Sequence, residues 1–196
     1  MIYSLLLAAQ LLGQSSDPFD YGNVYLAETR DRELPRFHLG VGYAFNISNS
    51  YLNLDSLTGT AQVRVWKYVS TGLFGQVTQS ELSAAGSQLR QLEKVDLHAQ
   101  IPTPRWGLFS LSYLQFMLGR WNVLNLMPLE SELLFGGGAG VLNRGKDTNG
   151  PTENKFSYLW SVEHRFLFCE RAGIFVSLFG VLHSTYLQSG IHIRFD

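Results

Sequence analysis

After Pro35, apolar and polar residues alternate one by one along most of the chain. Phe37, Leu39, Val41, Tyr43 and Phe45 interleave with His38, Gly40, Gly42, Ala44 and Asn46. Successive side chains of a strand point to opposite faces, so this stretch predicts a strand with one apolar wall and one small or polar wall. The rhythm returns in Ala61, Val63 and Val65 against Gln62, Arg64 and Trp66, and in Leu73, Gly75 and Val77 against Phe74, Gln76 and Thr78. A fourth strand starts near Trp106 and runs through Phe109, Leu111 and Tyr113. A fifth runs from Leu129 through Leu133 and Phe135 to Val141. In the sixth, Phe156, Tyr158, Trp160 and Val162 oppose Ser157, Ser161, Glu163 and Arg165. The seventh spans Ile174 to Leu182 and the eighth Leu187 to Phe195. Residues 117–128 break the rhythm and read as the end of strand four and a turn closing at Pro128. The pattern predicts about eight strands of roughly ten residues, the size of a small membrane barrel.

The connections alternate in length. Those at 46–58, 80–104 and 142–155 are long and polar, and those near Tyr68–Thr71 and Glu170–Gly173 are short. Outer-membrane barrels have long outer loops, short periplasmic turns and a periplasmic N-terminus, and this order fits them except that the last hairpin is short on the outer side. Within 80–104, the spacing of Leu82, Leu89, Leu92 and Val95 predicts a helix, which Pro102 and Pro104 stop. Asn149-Gly150-Pro151 marks an exposed loop. Ahead of the strands, residues 1–16 carry an apolar run, Ile2–Leu12, like the core of a secretory signal peptide, with a short apolar N-terminal helix that stays on the protein as the alternative. Residues 17–34 are polar and mixed in charge, and read as a periplasmic extension. Residues 35–196 form the expected barrel.

Composition sharpens this picture. Hydrophobic residues make up 45% of the chain and charged residues only 16%. Soluble domains carry about a quarter charged residues, so part of this surface is expected to avoid water. No run of about 18 apolar residues offers a membrane helix. A membrane barrel satisfies both facts, because half of every strand can be polar. A soluble barrel would show the opposite facing, apolar inside and polar outside. The net charge of −1 argues against a nucleic-acid partner. The single cysteine, Cys169, rules out a disulfide framework.

The last strand carries a further signal. Gln188, Gly190, Ile193 and Phe195 fill the polar, glycine, apolar and aromatic positions of the C-terminal strand pattern read by the outer-membrane assembly machinery. Asp196 follows the aromatic residue that usually ends that pattern. Several segments also resemble the outer-membrane β-barrel domain family of predatory and fruiting Gram-negative bacteria. They are Arg36–Gly40, Pro104–Phe109, Leu133–Val141 and Glu163–Phe168, together with the closing strand. The family usually has Lys at the position of Leu108. The resemblance implies an all-β, eight-stranded, antiparallel up-and-down transmembrane barrel in a bacterial outer membrane. It transfers no catalytic residues.

Candidate chemistry concentrates on the inward face. Arg64, Glu130, Glu132, Glu163, Arg165, His192 and Arg194 are predicted to point into the lumen. A barrel of eight strands is just wide enough to be filled by its own side chains. Three acids and three arginines are therefore read as a matched plug, with an ion-selective pore as the alternative. Ser161, Glu163 and His164 suggest a lipid hydrolase, but adjacent strand residues face opposite ways, so His164 is expected to leave the other two. The Gly136–Gly140 run lacks the Lys-Ser/Thr tail of a phosphate loop. It is read as room for lumen side chains such as Phe74 or Trp66. The histidines show no metal-ligand spacing, and no cofactor is expected. Small residues on the outward face, Gly75, Gly137 and Ala139 beside Leu133 and Phe135, suggest a wall where copies meet or lipid is held. The expected function is that of a structural or interaction barrel, not an enzyme. Its expected partners are outer-membrane lipids, the assembly machinery and further copies of itself. The alternative is a small porin-like channel or a lipid-modifying enzyme.

Overall fold

A computed structural model describes residues 37–66, 68–93, 102–123, 127–145, 151–168, 171–182 and 184–195. The signal-like segment 1–16 and the extension 17–34 lie outside the described residues. The described chain forms strands β1 (Phe37–Asn46), β2 (Leu52–Trp66) and β3 (Val69–Leu82), then helix α1 (Ala84–Glu93). Strands β4 (Thr103–Val123), β5 (Met127–Gly145), β6 (Thr152–Leu167), β7 (Ala172–Val181) and β8 (Ser184–Phe195) follow. Each strand pairs antiparallel with the next, and β1 pairs with β8 to close the barrel. Phe37 lies opposite Phe195, so both ends of the barrel sequence emerge at one rim, the terminus end. The β1–β2, β3–β4, β5–β6 and β7–β8 connections lie at the other rim, the loop end.

The register also fixes the stagger. Following paired residues from His38 through Gln62, Gly72, Leu111, Gly138, Leu159 and Val181 leads to Ser184. Ser184 returns to β1 at the level of Ser48, because Tyr186 opposite Asn46 sets the closing register. This offset tilts every strand against the barrel axis and sets the width of the interior.

The strands run further than the apolar rhythm. β2 starts at Leu52, β5 continues to Gly145 and β6 begins at Thr152. Most of the expected loops 46–58 and 142–155 is therefore paired sheet. Backbone pairing does not require apolar side chains, so a ladder can continue into water where the alternation stops. In β4 the pairing with β5 shifts register between Met117 and Gly119, and Gly119 has φ of 136°. A bulge of this kind moves the two-residue period out of phase. That is why residues 117–128 read poorly: β4 persists to Val123 and β5 begins at Met127, ahead of the expected turn at Pro128. A second shift lies between Arg64 and Trp66. It turns Trp66 outward to 76% exposure, correcting the expectation of a lumen tryptophan. Helix α1 begins at Ala84, because β3 continues to Leu82, and Val95 lies outside the described residues. Its start is fixed by Ser83, whose Oγ accepts from Gly86 N at 3.1 Å and donates to Ser50 O at 2.7 Å. The cap ties the helix to the β1–β2 loop.

The two faces of the sheet have opposite characters. In β1 the odd-numbered residues are exposed and apolar, and the even-numbered ones from His38 to Ala44 are buried. The interior is divided along its length. Its loop half holds Leu52, Leu54, Phe74, Phe109, Leu142, Phe179 and Tyr186. Its terminus half holds the buried charges. Phe175 spans the interior between β7 and the glycines of β1 and β8. A Cβ at Gly42 would come within 3.0 Å of the Phe175 ring, and one at Gly190 within 2.7 Å. Gly190 is thus excluded from substitution by packing as well as by any assembly pattern. We expect Gly190→Val to lower stability by about 2 kcal/mol or more through overpacking. The measurement is refolding of purified protein into detergent micelles, with no assembly machinery present, followed by urea titration. Wild-type refolding would remove the packing role.

Candidate functional site

The terminus half of the interior brings together five of the seven lumen residues singled out in the sequence. Glu132, Glu163, Arg165, His192 and Arg194 are each at most 5% exposed. Arg165 is the hub. Its Nε donates to Glu163 Oε1 in a buried ion pair. From β6 it reaches across the barrel to β2, donating from Nη2 to Gln62 Oε1 at 2.8 Å. Its Nη1 lies 3.5 Å from His38 Nδ1 on β1. Arg194 on β8 pairs with Glu132 on β5, again across the interior. Arg64 is half-buried and donates to Gln115 Oε1 at 2.7 Å, spanning β3. Glu130 is half-buried towards the terminus end, opposite Leu167. His38, Gln62 and Gln115 belong to this layer and were missed in the sequence. Alternation placed His38 and Gln62 inward and was not followed as far as Gln115, and a neutral side chain at one position gives no sign of a partner on a distant strand.

Above this layer the interior is aromatic. Phe74 on β3 meets Phe109 on β4 at 6.3 Å and Phe179 on β7 at 5.1 Å, the latter edge-on. Phe179 stacks on Tyr186 of β8 at 4.9 Å, with ring planes 8° apart. These rings run from one side of the barrel to the other in favourable offset and edge geometries. Polar links run beside them from β8 to β7 and, past β1, to β2. Gln188 Nε2 donates to Thr58 Oγ1 at 2.6 Å and its Oε1 accepts from Ser177 Oγ at 2.9 Å. The polar position of the closing-strand pattern is therefore also a lumen hydrogen-bonding residue, whereas Ile193 and Phe195 face outward.

On the outer wall, Gly137 has open space around the position of a Cβ, and Gly75 has only a carbonyl oxygen at 4.0 Å. Phe135 is exposed there, with Leu133 and Ala139 half-buried. Gly137 pairs with Ser112 and Ala139 with Ser110, both exposed on β4. These serines extend the small-residue wall across a strand that the alternation alone did not flag. Phe135 meets Phe116 at 6.0 Å, edge-on, and bounds the wall on its terminus side.

The Ser161, Glu163 and His164 group does not assemble. Ser161 and Glu163 are buried inside, and His164 faces the wall, where its ring lies 4.1 Å from that of Phe166. His164 Nε2 instead meets Ser131 Oγ at 2.7 Å, and Ser131 is 2% exposed. This pair satisfies two polar groups on an apolar face. Among the described residues there is no cluster of metal-ligating side chains.

No protein-family model matches the chain, and no curated protein matches it in sequence. Among solved structures, the chain is similar to the N-terminal β-barrel domain of OprF from Pseudomonas aeruginosa, with 10% identity and a TM-score of 0.50. That likeness covers 82% of this chain and 98% of the other. It is also similar to a de novo designed transmembrane β-barrel, with 10% identity and a TM-score of 0.49, over 84% of this chain and 99% of the other. At this identity the likeness is one of fold: a closed, eight-stranded, all-antiparallel barrel.

The ionic layer makes a direct prediction. Arg165→Glu places a carboxylate beside Glu163 and leaves Gln62 without its donor. Disrupting a buried pair in this way costs about 3–5 kcal/mol. The urea midpoint of the folded, fast-migrating form on unheated gels should fall markedly. An unchanged midpoint would mean that the pair carries no structural weight.

Proposed function

We propose that this chain is a structural or interaction protein of a bacterial outer membrane, a barrel filled by its own side chains whose outer wall meets lipid and other copies. One observation carries the membrane reading. Every strand presents an exposed apolar side chain to the outside: Val41, Leu57, Val77, Leu108, Phe135, Phe156, Val176 and Ile191 on β1 to β8 in turn. A girdle of this kind around a whole barrel far exceeds the apolar patches that soluble monomers expose, and a hydrocarbon layer is the environment that covers it. Exposed aromatic residues flank it, Trp66, Tyr68 and Phe168 towards the terminus end and Trp106 towards the loop end. Such residues favour the membrane–water interfaces.

The filled interior is supported by the cross-lumen contacts of Arg165 with Gln62 and of Phe74 with Phe179. The closing-strand residues Gln188, Gly190, Ile193 and Phe195 fit insertion by the assembly machinery, and the segment resemblances fit the barrel family of predatory and fruiting bacteria. With the loops outside the cell and the termini in the periplasm, α1 and the β5–β6 connection would face the exterior. The reading assigns no catalytic activity, because Ser161 and Glu163 face inward and His164 outward.

Self-association rests on the wall of β3 to β5. In lipid, close packing drives association, and Gly75, Gly137 and Ala139 beside Ser110 and Ser112 allow close approach. We expect purified protein in planar bilayers to pass no stable current, since both interior layers would have to open first. A steady ion-selective current would replace the plug with a pore. We also expect an oligomeric mass in mild detergent, lost in Gly137→Trp. Open space around Gly137 lets that variant keep the heat-modifiable barrel. A monomeric mass for the wild type would remove self-association while leaving the membrane reading intact.

A further inference from the structure

The loop end of the barrel contains a cavity of about 410 Å³, a size typical of small-ligand sites. Its walls are apolar at depth, where Leu54, Leu142, Val181 and Tyr186 line it. Its floor is closed by the aromatic layer, since Tyr186 stacks directly on Phe179. Ser48, Asn49, Ser50, Thr103 and Ser184 add polar lining, and Gln76 and Arg144 stand at different depths. Gln76 is 2% exposed and lines the cavity, and neither its Oε1 nor its Nε2 has a hydrogen-bond partner. Arg144 is half-buried near the end of β5 and lines the mouth. The acid opposite it in register, Glu153, is engaged by Lys155 Nζ at 3.3 Å. Among the described residues no carboxylate lines the cavity.

A buried amide with both ends free is costly and calls for an explanation. A group that donates and accepts at one atom, a hydroxyl, would satisfy both ends. With Glu153 engaged by Lys155, the guanidinium at the mouth is available to an anion, and forked donors suit a carboxylate. The closed floor leaves room for a ring system and stops a long chain. We propose that this cavity binds a compact aromatic hydroxy-acid, with its carboxylate on Arg144, its ring against Leu54, Leu142 and Val181, and its hydroxyl on Gln76. The site goes beyond the structural role proposed above. It rests on that reading only for its closed floor, which the bilayer current tests separately.

The probe is 6-hydroxy-2-naphthoate, titrated by calorimetry into the full-length protein in lipid nanodiscs. Empty nanodiscs give the background. The expected result is saturable binding of one molecule per barrel. Removing the hydroxyl, as in 2-naphthoate, should weaken binding about tenfold, the usual loss when a buried polar partner goes unmet. Replacing the carboxylate by a neutral amide should weaken it by at least about as much. Arg144→Gln should abolish the preference for the anion. Gln76→Leu should abolish the preference for the hydroxyl while raising the urea midpoint, because it removes an unsatisfied buried amide. A purely structural glutamine would not link those two changes. Heat-modifiable gel mobility confirms that each variant is folded. Absence of saturable binding would overturn the proposal, as would equal affinities for all three compounds or preferences unchanged in folded variants.

Discussion

Everything in this molecule depends on the pairing of β1 with β8. The ladder from Phe37 opposite Phe195 to Asn46 opposite Tyr186 turns an open sheet into a ring without edges. An open eight-stranded sheet would present unpaired backbone N–H and C=O groups at both edges, and in an apolar medium each would cost several kcal/mol. Closure removes that cost and fixes the stagger of the strands. The stagger fixes the width of the interior, and the width dictates which side chains meet across it. Phe175 could not lie across the interior if Gly42 and Gly190, paired on the closing strands, carried side chains. The same ladder therefore supplies the backbone bonds and the space for the core.

Closure also explains the unequal division of the interior. The terminus half is a compact set of charges in which each arginine has a named partner: Glu163 and Gln62 for Arg165, an ion pair with Glu132 for Arg194, Gln115 for Arg64. Buried charges are tolerated only with such partners. The loop half is built of rings and aliphatic side chains, as a soluble protein's core would be. Because the outer wall is apolar as well, the sheet around the loop half is apolar on both faces. That doubly apolar zone is the part of the barrel where simple alternation is least informative: Phe74 and Leu73 are adjacent and both apolar, yet they face opposite ways.

Much of the fold was legible one strand at a time. Val41 against Gly42, Ile193 against Arg194 and Tyr158 against Ser157 each report the period of two directly, and eight such stretches imply eight strands. Legibility failed where a local register shift or a change of solvent intervened. The bulge at Gly119 hid the continuation of β4 and β5, and the shift after Arg64 sent Trp66 outward. The polar ends of β2, β5 and β6 looked like loops because the outward apolar rhythm stops there while the backbones remain paired, and Leu52, Leu54 and Leu142 point into the interior instead. For the candidate sites, the inward direction of Glu132, Glu163, Arg165, His192 and Arg194 was readable, because direction follows from parity.

Their partners were not readable. Arg165 meets Gln62, more than a hundred residues away, and Ser131 meets His164 from the neighbouring strand. The free amide of Gln76 shares its cavity with Arg144, two strands away. By itself the sequence determined which wall a strand residue faces wherever no register shift intervenes, because that depends only on the two-residue period of an extended chain. The tertiary structure decided which residues meet, because that depends on the stagger accumulated around a closed ring. That quantity is a property of all eight strands together and is written in no single one of them.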